Sequence, residues 1–305
     1  MVAGVGCAQD VWENEIKVIK QQCLTGEVPL KGGISICSFD NRGIGRSTCP
    51  ELKEDYSIEK MAKDCLALMN HLNWPTAHLI GHSMGSMIST RVAILAPEKV
   101  DSLTLIATAR RFADLWPRSL KSLGLFVSML FSPLDAEGRA LLDLKCHFTQ
   151  EYLEEDMPLP EEKGRNGHGN EQKTLKRRES LKHEYMRKAS IKHNHQPDHG
   201  FKGQMYACRC HFVSSAEIEK LRQTTFPFLM IHGTLDHIIP WQAGQRFFLM
   251  MKNRSKFMLL HGAHFLSRER VDEVVNAVLQ QILHGSSTHK TTAAKVAVAP
   301  LPTNQ

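Results

Sequence analysis

The residues that most constrain this chain are Gly81-His82-Ser83-Met84-Gly85, set between the apolar run Ala77-His78-Leu79-Ile80 and the helix-like stretch Ser86 to Leu95. A G-x-S-x-G pentapeptide in a strand–turn–helix setting places its serine on a strained turn, with the hydroxyl raised above the sheet edge as a nucleophile. Bulky side chains two positions to either side would clash there, and glycine, lacking a Cβ, fits at both places. The pentapeptide alone also arises by chance. Its weight here comes from three further segments.

Phe226 to Ile231 reads as a short buried strand, and His232-Gly233-Thr234-Leu235-Asp236 follows it, with Pro240 beyond. A carboxylate in the loop past a late strand can reach the imidazole of a catalytic triad. Phe257-Met258-Leu259-Leu260 reads as the last strand, followed by His261-Gly262-Ala263-His264. His261 belongs to the strand end, while the Gly262 turn carries His264 over the sheet, so His264 is the expected base. The alternative is an ordinary turn at Ser83 with two surface histidines. The chain order Ser83, Asp236, His264 differs from the orders of trypsin and subtilisin. The fourth segment is Asp40-Asn41-Arg42-Gly43-Ile44-Gly45-Arg46-Ser47, behind an expected strand from Ile34 to Phe39. Its glycines allow a tight passage, and Asp40 and Arg42 can tie the loop together beside the site.

With these four segments the chain resembles the α/β-hydrolase superfamily in its hydrolase-1 branch. The D-N-R-G-x-G-x-S run together with G-H-S-M-G is most similar to plant-type esterase/lipase-like members. The resemblance covers residues 1 to about 284. It implies an α/β fold, a mostly parallel sheet flanked by helices, with a helical lid inserted before the penultimate strand. It also implies an oxyanion hole made by the N–H groups of Val5 and Met84. Substrate is left open, because this fold hosts many chemistries.

The same resemblance places an apolar strand ahead of the Gly4-Val5-Gly6 loop, and only Met1-Val2-Ala3 stands there. Two still earlier strands have no counterpart. The shortened strand belongs between those ending at Phe39 and Gly81, where unpaired backbone groups cost on the order of 1–3 kcal/mol each. The expectation is a chain truncated at its N-terminus, from a shortened gene model or isoform, and prone to aggregate as written.

At 305 residues, 42% of them hydrophobic, the chain suits one large α/β domain with an insertion. The core is expected at 1–108 and 225–284, the lid at 109–224, and a disordered tail at 285–305. The net charge of +6 is mild and gives no support to nucleic-acid binding. No run of about 18 apolar residues offers a membrane span, and Met1 to Cys7 lacks a signal-peptide pattern. Eight scattered cysteines read as reduced thiols in a cytoplasmic setting, although a targeting sequence lost with the N-terminus would change that. The sequon Asn253-Arg254-Ser255 is then not glycosylated.

About 115 residues separate the strand Ser102 to Ala107 from Phe226, too many for a structureless loop. Leu115, Trp116, Leu120, Leu123, Phe126, Leu130 and Phe131 recur at helical spacing. They suit a lid helix lining an apolar acyl pocket, or a surface making peripheral membrane contact. Residues 161–200 form a polar basic insertion with ten Lys/Arg, six Asp/Glu and five His. It opens as a glycine-bearing loop at Gly164, Gly167 and Gly169 and continues as a polar helix from Thr174 to Lys192, with Leu181, Tyr185 and Ala189 on one face. Lys176-Arg177-Arg178 is a solvated helix face rather than a phosphate patch. His193-Asn194-His195 and Cys208-Arg209-Cys210-His211 match no standard zinc spacing, so no metal is expected. No glycine-rich dinucleotide or phosphate loop occurs, and serine acyl chemistry needs no cofactor.

The expected activity is that of a serine hydrolase cleaving a carboxylic ester or related acyl bond of a small-molecule or acyl-lipid substrate. Ser83, His264 and Asp236 would form the triad. Epoxide and haloalkane chemistry would need a carboxylate at Ser83. The rival readings are a ligand receptor that retains the triad and an inactive truncated isoform.

Overall fold

The computed structural model describes residues 1–26, 33–115, 123–125, 127–128, 135–158, 174–191, 196–252 and 255–288. The strands among them are β1 (Ala77–His82), β2 (Val100–Ile106), β3 (Asp156–Pro158), β4 (Thr174–Lys176), β5 (Phe228–Gly233) and β6 (Ser255–Leu260). The helices are α1 (Glu13–Thr25), α2 (Ile58–His71), α3 (Met84–Leu95), α4 (Ala136–His147), α5 (Gln150–Glu154), α6 (Arg177–Ser190), α7 (Asp198–Arg209), α8 (Ser215–Arg222), α9 (Trp241–Met251), α10 (Leu266–Glu269) and α11 (Val271–Thr288).

The main sheet runs β1-β2-β5-β6 with every pair parallel. Parallel neighbours need crossovers, and α3 and α9 supply those from β1 to β2 and from β5 to β6. Side chains alternate between the two faces. Ile80, Ile106, Leu229 and Ile231 pack with Trp12, Ile19, Val274 and Val278 from the α1 and α11 side. Leu79, Leu103, Leu105, Phe228 and Met230 pack with Met61, Ile88, Leu221 and Phe247 from α2, α3, α8 and α9. Burial on both faces explains why these strands read as nearly unbroken apolar runs. The architecture is thus the expected parallel sheet flanked by helices.

The expected strand from Ile34 to Phe39 does not form; the segment is partly buried and outside any strand. Its partner contributes a single bridge, Val2 with Gly81. Val2 N–H donates to Ile80 O at 2.8 Å and His82 N–H to Val2 O at 3.1 Å. On the other side the Met1 amino group donates to Cys37 O at 2.7 Å and Asn41 Nδ2 to Ala3 O at 2.9 Å. Met1–Ala3 therefore lies between β1 and residues 34–39 without a ladder on the latter side.

Between β2 and β5 the chain forms α4 to α8 and the antiparallel β3–β4 pair. The polar helix expected over Thr174–Lys192 is shorter, Arg177–Ser190, because Thr174–Lys176 pairs with Asp156–Pro158 instead. Leu181 is buried with Leu144, Phe148, Leu153 and Phe265, and Tyr185 packs against that cluster. The apolar positions Trp116, Leu120, Phe126, Leu130 and Phe131 lie outside the described residues, as do Gly164 to Gly169, His193-Asn194-His195, Asn253-Arg254 and the chain after Thr288. Of the expected tail, residues 285–288 belong to α11. Among the described residues no helix is long and apolar enough to cross a membrane.

Candidate active site

Ser83 follows β1 and caps α3 with φ 57° and ψ −121°. That conformation costs on the order of 1–3 kcal/mol in a residue with a Cβ. The surroundings hold it. Ser83 N–H donates to Ile106 O at 2.9 Å, and Ser83 O accepts from Ser86 N–H at 2.9 Å and Ser86 Oγ at 2.6 Å. Met84, Met87 and Ile88 are buried behind the turn, and each buried apolar side chain contributes about 1.5–3 kcal/mol, enough to offset the strain. A Cβ on Gly81 would stand 2.2 Å from Gly85 O, so the turn closes only with glycine there.

Asp236 and His264 reach one another because the turns after β5 and β6 are stitched together. Thr234 N–H donates to Leu260 O and Leu235 N–H to Gly262 O, both at 2.9 Å. His264 Nδ1 lies 2.8 Å from Asp236 Oδ2, with both side chains buried. The other carboxylate oxygen accepts from the N–H groups of Ile238 and Ile239, each at 2.8 Å. Burial alone would raise the Asp236 pKa, but the facing His264 and the backbone donors hold it below its ordinary value. Asp236 is therefore a buried carboxylate with both oxygens satisfied. His261, by contrast, is exposed.

His82 joins the two halves of the site. Its Nε2 is 2.8 Å from His264 O, and its ring lies 4.8 Å from the His264 ring and stacks on Phe265 at 5.0 Å. Burial, then the His264 charge, pulls His82 down to about 3. Burial likewise lowers His232 to about 4 and holds His147 well below its ordinary value. His147 Nδ1 is 3.1 Å from the Tyr185 hydroxyl, and its ring stacks 6.1 Å from that of His264. Glu269 fastens the loop that carries His264, accepting from Ala263 N–H at 2.9 Å and also from Thr149 N–H. Sequence reading did not single out His82, His147 or Glu269. His82 stands inside the pentapeptide, which was the one available signal.

The expected oxyanion donors belong to Met84 and Val5, and the structure describes the segments that carry them. Met84 is the first residue of α3, where helix N–H groups lack intrahelical acceptors. Gly4 packs so closely on the turn that a Cβ there would stand 3.2 Å from Ser83 Cβ, which brings the Gly4-Val5 segment alongside. In the Asp40–Ser47 loop, Asp40 accepts from Gln9 N–H at 2.7 Å and Arg46 N–H at 3.0 Å. Arg42 reaches outward to Asp64, with two bonds of 2.7 Å. Among the described residues no group of three or more His, Cys, Asp or Glu side chains is gathered for a metal.

The alpha/beta hydrolase fold family profile matches residues 10–270. A protein provisionally named carbamate hydrolase RutD, from Variovorax paradoxus (strain S110), is 28% identical over 104 residues, covering 34% of this chain and 35% of that protein. One provisionally named non-heme bromoperoxidase BpoC, from Mycobacterium tuberculosis (strain ATCC 25618 / H37Rv), is 38% identical over 112 residues, covering 36% and 37%. The matched region thus spans about a third of these curated relatives. The solved esterase EaEST from Exiguobacterium antarcticum superposes with a TM-score of 0.66 at 16% identity, covering 93% of this chain and 90% of that one. At that identity the likeness is one of fold.

Proposed function

The chain belongs to the alpha/beta hydrolase fold family, and from that premise we propose that it is a serine hydrolase cleaving a carboxylic ester or related acyl bond of a small-molecule or acyl-lipid substrate. The observation that carries this reading is the buried 2.8 Å Asp236–His264 pair, tied through His82 to the strained turn at Ser83.

In this mechanism Ser83 Oγ attacks the carbonyl carbon as His264 Nε2 takes its proton. The carbonyl π electrons move onto oxygen, and the resulting oxyanion rests on the N–H groups of Val5 and Met84. Asp236 keeps the His264 ring oriented and stabilises its cation. Collapse of the tetrahedral adduct breaks the ester C–O bond, and the leaving alkoxide takes the proton from His264. Water, deprotonated by the same imidazole, then attacks the acyl-enzyme, and Ser83 leaves as its oxygen recovers the proton. His82 and His147 remain neutral, so no second imidazolium faces His264 as it charges. The helical segment between β2 and β5 would act as the lid, with α4 and α6 bringing His147 and Tyr185 towards His264.

Activity-based labelling with a fluorophosphonate, followed by esters of graded acyl length, tests this. The expected result is a covalent adduct on Ser83 and turnover of at least one ester class. A folded protein that takes up no label and hydrolyses none of them overturns the reading.

A further inference from the structure

Gln204, on α7, is fully buried and engages three polar groups with its amide. Its Oε1 accepts from Gly6 N–H at 3.0 Å and from Gln196 Nε2 at 2.9 Å, and its Nε2 donates to Arg42 O at 3.0 Å. The orientation of the amide follows from its partners, since Gly6 N–H only donates and Arg42 O only accepts. Gln196 adds a bond from its Nε2 to Gly43 O at 3.2 Å. One side chain thus joins α7, the loop after Ala3 and the Asp40–Ser47 loop.

The seat of α7 is also closely packed. A Cβ on Gly200 would stand 2.2 Å from Gly43 O, and one on Gly203 would stand 2.3 Å from the Tyr56 ring. At Gly200 helix and loop meet backbone to backbone, and at Gly203 the helix lies against the buried Tyr56 ring, so neither contact leaves room for a side chain and Gln204 is delivered from a closely packed platform.

Gly6 follows Val5, whose N–H is the oxyanion donor in the function proposed above, and the present inference rests on that reading. On one side of Val5, Gly4 abuts the Ser83 turn. On the other, Gly6 N–H is held by Gln204. Val5 stands between two held points, one beside each of its flanking peptides, and these restrict how its N–H can turn. We infer that Gln204 is the positioning residue for this donor, so that the seating of α7 and the competence of the oxyanion hole are one coupled property. Gln204 touches no reacting atom.

A paired substrate probe isolates this role. A thionoester carries sulfur where the ester carries the carbonyl oxygen, and sulfur is a weak acceptor that gains little from the two N–H donors. The ratio of kcat/KM for an ester over its thiono analogue therefore reports on the donors rather than on general integrity. In Gln204→Met, which keeps bulk but loses the acceptor, the ratio is expected to fall by at least about tenfold, chiefly through kcat. Gln204→Glu keeps an acceptor for Gly6 N–H and, as the neutral acid that so buried a position favours, an O–H donor for Arg42 O, so it should stay within about threefold of the parent ratio. Gln196→Ala removes one support of Oε1 and is expected to lower the ratio by about threefold; it decides the matter if Gln204→Met does not fold. An unmoved ratio in Gln204→Met, with ester and thionoester rates falling together, overturns the inference while the serine mechanism stands. A folded parent chain with neither labelling nor turnover removes the serine reading and this one with it.

Discussion

His82 Nε2 donates to the carbonyl oxygen of His264 across 2.8 Å, so the residue just ahead of Ser83 holds the backbone of the residue proposed as its base. A carbonyl only accepts, and the His82 pKa of about 3 keeps the ring neutral at working pH, which assigns its proton to Nε2. His82→Leu would leave a buried carbonyl without a donor, at a cost of about 1–3 kcal/mol, and would free the His264 loop to shift. A displacement of about 1 Å can cost on the order of a hundredfold in rate. His82→Leu should therefore lose at least about tenfold in kcat, while His82→Gln, which keeps an N–H donor, recovers most of it. Equal rates in the two variants would detach His82 from the site.

Ser83→Ala should abolish fluorophosphonate labelling and lower kcat by at least about a thousandfold, because triad members act as a unit. The melting temperature should hold or rise slightly, since Ser83 takes part in the turn through its backbone N–H and C=O. Retained labelling in Ser83→Ala would place the nucleophile elsewhere.

Asp236→Asn keeps an oxygen for the Ile238 and Ile239 N–H groups but turns an amide towards His264 Nδ1. The ring then loses its orienting acceptor and settles in the wrong tautomer, with an expected loss of about a thousandfold or more in kcat. Asp114 is the comparison. It pairs with Arg111 at 3.3 Å and Arg246 at 3.6 Å, and among the described residues no hydrogen bond or ion pair joins it to His264. Asp114→Asn should leave turnover nearly unchanged. Steady-state kinetics of the two variants side by side decides whether the acid has been placed correctly.

The places of Ser83, Asp236 and His264 just past the ends of β1, β5 and β6 were legible because each lies within a few residues of an apolar strand run, and strand-end position is a local property. The choice of His264 over His261 was also local, resting on the turn at Gly262. The contacts that fasten the site were hidden for the opposite reason. Glu269 meets Thr149, and Gln204 meets Gly6 and Arg42, across separations that only the finished topology closes. The strand expected at Ile34–Phe39 shows the limit of composition. Its apolar pattern resembles that of β1, but a strand also needs a neighbour's backbone, and Met1–Ala3 bonds to that side at only one main-chain point.

Glu15 gives a pH-dependent prediction away from the site. Its side chain is buried, Oε2 has no partner among the described residues, and it lines a cavity of ≈ 10 Å³ with Trp12, Ile80 and Ile106. That space holds about one water, too little to hydrate a carboxylate. Burial therefore raises its pKa above the ordinary 4.5, with Ser267 offsetting only part of the shift. The native chain then holds this proton more tightly than the unfolded chain does. As pH rises past the ordinary value the unfolded state releases the proton first, so stability falls until the raised pKa is passed and stays lower above it. Glu15→Gln removes the charge while keeping the shape. Melting temperatures across pH 4 to 8 should show the variant gaining on the parent as pH rises, with the two converging near the acid end. A constant offset between the two curves, or a variant that melts lower at every pH, would show that Glu15 is charged and satisfied in the fold.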